Sequence, residues 1–178
     1  LLGSEELERL DLKLLIELRT RGHGDPRLEK GIELFSRAGE HGACWYAFGL
    51  LGWACTKPDN PRRRAWSRGV AITAASYGLN YEVKLAVRRR RPALEGLPPL
   101  SPVISKFSFP SAHATTSFAA ATAYSEAAPA AMPLFYAVAA AFALSRPYLA
   151  VHYPSDVIAG AAIGTLTAKL LTSLTPCR

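Results

Sequence analysis

The chain has 178 residues, 49% hydrophobic and 20% charged, with a formal net charge of +7. That length suits one domain with one core, and Cys44, Cys55 and Cys177 are too few and too scattered for a disulfide framework. The positive balance suits an anionic lipid surface or a phosphate group; with no zinc-finger spacing and no basic helix leading into heptads, it argues against nucleic acid as the partner. The average conceals a segregation. Residues 1–41 hold nine of the fourteen acidic residues and seven of the twenty-one basic ones. Beyond Ala43, long apolar stretches alternate with short basic or proline-rich ones, the pattern of a membrane protein with short loops.

In chain order, the first element is a helix over residues 4–20, where Leu7, Leu10, Leu14, Leu15 and Leu18 recur at spacings of three and four. Ser4 is its expected N-cap, and Gly22, Gly24 and Pro26 end it. The chain begins at Leu1 rather than Met, so a few preceding residues are expected, and residues 1–20 are too charged for a signal peptide. A second short helix is expected from Arg27 to Arg37. Both helices are amphipathic, suited either to the membrane interface or to packing one face on the rest of the protein. Five apolar segments follow, at 42–56, 66–87, 112–128, 131–145 and 155–174. A spanning helix needs about 20 residues, so the first and fourth must recruit flanking residues. Runs such as AAAFA at 139–143 and AGAAIGTLTA at 159–168 are small-residue surfaces that let helices approach closely in a bilayer. The expected fold is therefore all-α: one domain over 1–178, an integral-membrane bundle of about five spanning helices (42–174) preceded by amphipathic N-terminal helices (1–41).

Three clusters carry chemistry, each where an apolar helix meets a loop. In Lys84-Leu-Ala-Val-Arg-Arg-Arg-Arg91-Pro92, helical spacing puts Lys84, Arg88 and Arg91 on one face, and Pro92 helps end the helix. Arg89 and Arg90 read as a basic flank. Alone, the run is an ordinary juxtamembrane stop. In Ser108-Phe-Pro-Ser111-Ala112-His113, Ser111 caps a helix whose free N–H groups and positive dipole end suit a phosphate, with His113 beside the anion. Alone, it is a capped helix with an incidental histidine. In Ser145-Arg146-Pro-Tyr-Leu-Ala-Val-His152-Tyr-Pro-Ser-Asp156, Arg146 and Asp156 are ionisable residues at the ends of apolar helices. Asp156 is able to accept a hydrogen bond from one nitrogen of His152, leaving the other free to attack. The plain alternative is an Arg146–Asp156 salt bridge pinning a loop. Together the clusters supply cations, neutral donors, a nucleophile and an acid, which is the inventory of phosphoryl transfer.

These spacings resemble the type 2 phosphatidic acid phosphatase superfamily, whose signature runs K-x6-RP, PSGH, SR-x5-H-x3-D. The match covers residues 84–156, with Ala112 in place of the usual glycine, a methyl group that crowds the bound anion. The resemblance implies a membrane phosphatase needing no metal and no cofactor. It assigns His152 as nucleophile, Asp156 as its orienting partner, and His113 as the acid that protonates the leaving oxygen and then activates water. Lys84, Arg91, Ser111, Ala112 and Arg146 would bind the phosphate. A narrower similarity, carried by FSRAGEHG, RRRRP and FPSAHATT, is to small actinobacterial phosphatases acting on decaprenylphosphoryl-5-phosphoribose, a cell-wall arabinan precursor. Glu40 and His41 fall at the membrane edge, as further lining residues or as an interfacial polar pair.

The alternatives in substrate are undecaprenyl pyrophosphate and phosphatidic or phosphatidylglycerol phosphate. Vanadium haloperoxidases and soluble acid phosphatases share the motifs, but five Ala/Gly-rich apolar segments argue against both. A non-enzymatic membrane scaffold or transporter subunit would leave the three-part spacing a coincidence. Lys57, Arg62, Arg63, Arg64 and Arg68 lie on the face opposite the motifs. By the positive-inside rule these charges suggest the cytoplasmic side, so the expectation is a multi-pass plasma-membrane protein with an extracytoplasmic site.

Overall fold

Seven α-helices form, two where the amphipathic N-terminal pattern predicts them and five at the apolar runs, in a computed structural model that describes residues 4–21, 23–103 and 105–175. Gly22 and Cys177 lie outside the described residues, as does the side chain of Ser4. Helix α1 covers Ser4–Thr20 and α2 Pro26–Ala38. Helix α2 starts where Asp25 Oδ1 accepts from Arg27 N (2.9 Å) and Leu28 N (3.2 Å) and proline takes the first helical position, both ordinary start signals. A short turn over Glu40–Gly42 leads into α3, Ala43–Cys55. Then come α4 (Arg62–Val87), α5 (Ala112–Ala127), α6 (Met132–Tyr148) and α7 (Pro154–Leu174).

Helix α5 is the axis of the bundle, packing against α4, α6 and α7. Apart from His113 and Tyr124, its buried surface is made of Ala, Ser and Thr, so backbones come close. Contact with α7 depends on glycine. A Cβ built at Gly164 would lie 2.1 Å from Thr115 O, and one at Gly160 would lie 2.7 Å from Ser111 O. Polar ties join α3 to α5: Trp45 Nε1 donates to Ser117 Oγ (2.8 Å) and Tyr124 Oη to Trp45 O (2.9 Å). The large aliphatic residues point the other way. On α7, Ile158, Leu166, Leu170 and Leu174 are each more than half exposed, while Gly160, Gly164 and Ala168 are buried.

The helical stretches Pro129–Tyr148 and Pro154–Leu174 are long and apolar enough to cross a membrane. The fourth apolar run does recruit its flanks, through the 3₁₀ turn Pro129–Ala131 before α6 and the last turn of α6 through Tyr148. The first does not. Helix α3 stays at 13 residues, about 20 Å at 1.5 Å per residue, bounded by left-handed Gly42 and extended Thr56. Helix α5 has 16 residues, and α4, at 26, carries charges near both ends. By length and composition, then, two of the roughly five expected spans qualify among the described residues.

Two expectations are corrected. Helix α4 ends at Val87, because Arg88 turns left-handed (φ 55°) with its N–H on Lys84 O. Residues 89–91 leave extended, Arg90 bridging to Phe107. A helical face shared by Lys84, Arg88 and Arg91 is thus replaced by strand-like alternation: Arg89 and Arg91 turn inward, Arg88 and Arg90 outward. In α1 the leucine stripe divides. Leu15 is buried and Leu18 half-buried, with Asp11 and Arg19 on the same inward face, whereas Leu7, Leu10 and Leu14 are exposed.

Candidate active site

The three motifs meet at one end of the bundle, around a cavity of about 140 Å³ lined by Lys84, Arg91, Ala112, His113, Arg146 and His152, with Glu40, His41, Tyr77 and Ser105 at its wall. The key side chains reach it from the ends of helices. Arg91 comes off the extended segment after α4, Ala112 and His113 open α5, Arg146 closes α6, and His152 precedes α7.

His152 is buried, with Nδ1 3.5 Å from Asp156 Oδ2, long for a hydrogen bond, and without another partner. Its Nε2 lies 3.2 Å from Arg91 Nη1. A guanidinium only donates, so Nε2 is the acceptor and the proton sits on Nδ1, facing the carboxylate. Burial, countered by Asp156 and reinforced by Arg91 and Arg146, pushes the imidazole down to about 3. Asp156 is fully buried. Its Oδ2 accepts from Tyr153 N (2.9 Å) and its Oδ1 from Arg89 Nη1 (2.8 Å). The plain alternative, an Arg146–Asp156 pin, is not what forms: each of the two pairs elsewhere.

Arg91 is braced by its own backbone surroundings. Nε donates to Ser105 O (2.7 Å) and Nη1 to Val151 O (2.6 Å). Burial, countered by Asp156, lowers it to about 10, so it stays cationic at neutral pH. Lys84 Nζ donates to Phe107 O (3.2 Å), Ser108 O (3.2 Å) and Pro110 O (2.9 Å). All three protons are thereby engaged in holding the loop before α5, alongside Asn80 Nδ2, which donates to Pro110 O (3.3 Å) and Thr115 Oγ1 (2.9 Å). Ser111 N donates to Asp156 O (3.0 Å), so this main-chain group is committed, whereas the buried Ser111 Oγ has no partner. The N–H groups of Ala112 and His113 stand in the first turn of α5, where a helix supplies them no acceptor.

His113 Nε2 lies 3.0 Å from Ser36 O. A carbonyl only accepts, so Nε2 carries the proton and Nδ1 holds the lone pair. Arg146 Nη1 donates to Ser36 Oγ (2.6 Å), and its buried Nε is unpartnered. Ser36, at the end of α2, therefore touches both. His41 (φ 53°) places Nδ1 2.8 Å from Tyr77 Oη.

Lys84, Arg91, Ser111, Ala112, His113, Arg146, His152, Asp156, Glu40 and His41 thus lie in or directly beside this cluster, whereas Arg88 faces outward. Ser36, Asn80, Ser105, Arg89 and Asp11 were not singled out. Asn80 stands one helical turn before Lys84 and was legible as a polar position in an apolar helix. Ser36 and Asp11 belong to the N-terminal helices, and nothing local shows which face those helices turn to the site.

A family model described as the PAP2 superfamily matches residues 65–177. A Mycobacterium tuberculosis protein named decaprenylphosphoryl-5-phosphoribose phosphatase is 37% identical over 171 residues, 96% of this chain and 94% of that protein. Its namesake from Mycolicibacterium smegmatis is 33% identical over 147 residues, covering 83% and 79%. The crystal structure of Aquifex aeolicus LpxE superposes with a TM-score of 0.76 at 22% identity, over 92% of this chain and 95% of that one, which bears on the fold.

Proposed function

The chain belongs to the PAP2 superfamily, and on that footing we propose that it hydrolyses a polyprenyl-linked sugar phosphomonoester through a phosphohistidine on His152. It is a lipid phosphatase. The observation that carries the mechanism is the His152 lone pair on Nε2, held beside Arg91 at the cavity wall, with the proton on Nδ1 facing Asp156. Nε2 attacks phosphorus in line, forming the P–N bond as the P–O bond to the leaving group breaks. Arg91 and Arg146, the Ser111 hydroxyl and the first-turn N–H groups of α5 balance charge on the equatorial oxygens. Lys84 adds its positive charge while holding the loop.

The leaving oxygen takes a proton from His113. With one proton fixed toward Ser36 O, His113 needs a second on Nδ1 for this step, and a bound phosphate dianion favours that protonation. Nδ1 then removes a proton from the attacking water, and His152 leaves as inorganic phosphate forms. Glu40 supports a sugar-phosphate substrate: a carboxylate repels phosphate but accepts hydrogen bonds from hydroxyls, and it lines the cavity near His41 and Tyr77.

The exposed leucines of α1 and the aliphatic exterior of α7 suit a multi-pass plasma-membrane protein. Helices α3–α7 would span it, with the site on the extracytoplasmic face. Trapping with a radiolabelled activated aryl phosphate tests the chemistry. Wild type and His113→Ala are expected to carry acid-labile label on His152, slow to hydrolyse in the variant, and His152→Ala none. Label on His113 would reverse the roles. A panel of polyprenyl-phosphoribose phosphate, undecaprenyl pyrophosphate, phosphatidic acid and free ribose phosphate tests the substrate. The first is expected to have the highest kcat/KM, and an equal value for free ribose phosphate would rule out lipid selection.

A further inference from the structure

Asp11 is buried on a helix whose other acidic residues are exposed. A carboxylate is taken out of water on an amphipathic helix only at a cost, unless its partners are good. Its partners come from the active site. Asp11 Oδ1 accepts from Ser155 N (2.8 Å), in the first turn of α7, and Oδ2 from Arg89 Nη2 (2.8 Å) and the Ser155 hydroxyl. The same guanidinium donates through Nη1 to Asp156 Oδ1 (2.8 Å) and Ser155 Oγ (2.7 Å), and stacks 4.0 Å over the Tyr153 ring. Arg89 thus bridges two buried carboxylates, one on α1 and one on the residue facing His152.

We propose that Asp11 is a positioning residue for phosphoenzyme formation: through Arg89 and Ser155 it holds Asp156 in place and keeps its negative charge available to His152, making α1 part of the catalytic assembly. The charge count carries the point. Asp156 and Arg89 alone form a neutral pair. Asp11 brings the trio to a net −1, so one negative charge remains to stabilise the cation that develops on His152 as its lone pair goes to phosphorus. The orientation follows as well. With Oδ1 occupied by Arg89, Asp156 turns Oδ2 toward Tyr153 N and His152 Nδ1.

The inference rests on His152 being the nucleophile, and one experiment separates the two. Full-length wild type, Asp11→Asn, Asp11→Glu and Lys13→Ala, an exposed residue of α1, are compared in the same detergent. The readouts are label on His152, phosphorylation rate, kcat, KM and thermal midpoint. Asp11→Asn keeps the shape and loses the charge. Its NH2 meets one of the groups that donate to Asp11, so a modestly lower midpoint is expected, and in the folded protein the phosphorylation rate and kcat are expected to fall by about 10- to 100-fold with KM nearly unchanged. Asp11→Glu is expected to recover part of the rate, and Lys13→Ala to match wild type. Wild-type rates in a folded Asp11→Asn protein would overturn the inference. So would a loss that tracks a lowered midpoint or a raised KM, which would make Asp11 a fold residue only. Absence of label on His152 in wild type would instead overturn the nucleophile assignment.

Discussion

Four consecutive arginines behave differently because Arg88 turns left-handed and the chain after it is extended. Arg91 braces His152, Arg89 bridges Asp11 and Asp156, and Arg88 and Arg90 face outward. The expectation that Arg89 is a dispensable flank is therefore revised. Arg91→Lys and Arg89→Lys are each expected to lower kcat/KM by at least about tenfold, since an ammonium replaces neither a fork nor a stack. Arg90→Lys is expected to stay within about twofold. Steady-state kinetics on the three variants check this; equal effects would return all three to the flank. His152 yields a second residue-scale expectation. Its folded value of about 3 lies below the ordinary value of about 6.5, so the neutral form persists as pH falls. Imidazole ¹⁵N shifts of the resting enzyme should show a neutral His152 from about pH 8 to pH 5. The same shift contributes stability that is fully present above about 6.5. It is lost as pH falls from there toward about 3, because the unfolded chain binds the proton first. A titration midpoint near 6.5 in the folded protein would contradict both statements.

Helices α5 and α7 carry His113 and Asp156 at their N-termini, so their separation sets the catalytic geometry. At Gly164 they approach so closely that a Cβ would lie 2.1 Å from Thr115 O. Gly164→Val is expected to cost about 1–3 kcal/mol or more from overpacking, and to depress activity further by moving the two residues apart. Gly78→Ala, also on a helix, meets nothing within 4 Å and is expected to be neutral or to stabilise by at most about 1 kcal/mol. Thermal unfolding and turnover of the two variants in detergent make the comparison. A silent Gly164→Val would mean that the contact yields freely. The boundaries of these helices were legible from apolar runs and proline positions, although the side-chain cap expected of Ser111 does not form and its Oγ has no partner. The end of α4 was not. A left-handed Arg88 is imposed by the pairing of its next two residues, Ser108 N donating to Arg89 O and Arg90 bridging to Phe107. Those partners are distant in sequence.

The bundle turns its small residues inward and its large aliphatic ones outward, so the whole protein is expected to need detergent or lipid for solubility. Turnover is expected to persist in EDTA, because Lys84, Arg91 and Arg146 already gather the positive charge that a metal ion would otherwise bring to the phosphate. Loss on chelation, restored by Mg²⁺ or Zn²⁺, would contradict a metal-free reaction.

The all-helical class and the N-terminal helices were determined by the sequence itself, through local periodicity and the positions of glycine and proline. That Lys84, Arg91, Ser111, His113, Arg146, His152 and Asp156 belong to one site was implied by the family resemblance of their spacings, because spacing alone does not say which helix ends meet. The tertiary structure alone decided that Ser36 holds His113 and Arg146, that Lys84 grips three carbonyls, and that Asp11 reaches the catalytic carboxylate through Arg89. These contacts join residues as much as 144 positions apart, as between Asp11 and Ser155. Those of Ser36 and Asp11 depend on which face of α1 and α2 turns inward. Packing against α6 and α7 decides that, whereas amphipathicity alone left open whether the leucine stripe meets the membrane interface or the rest of the protein.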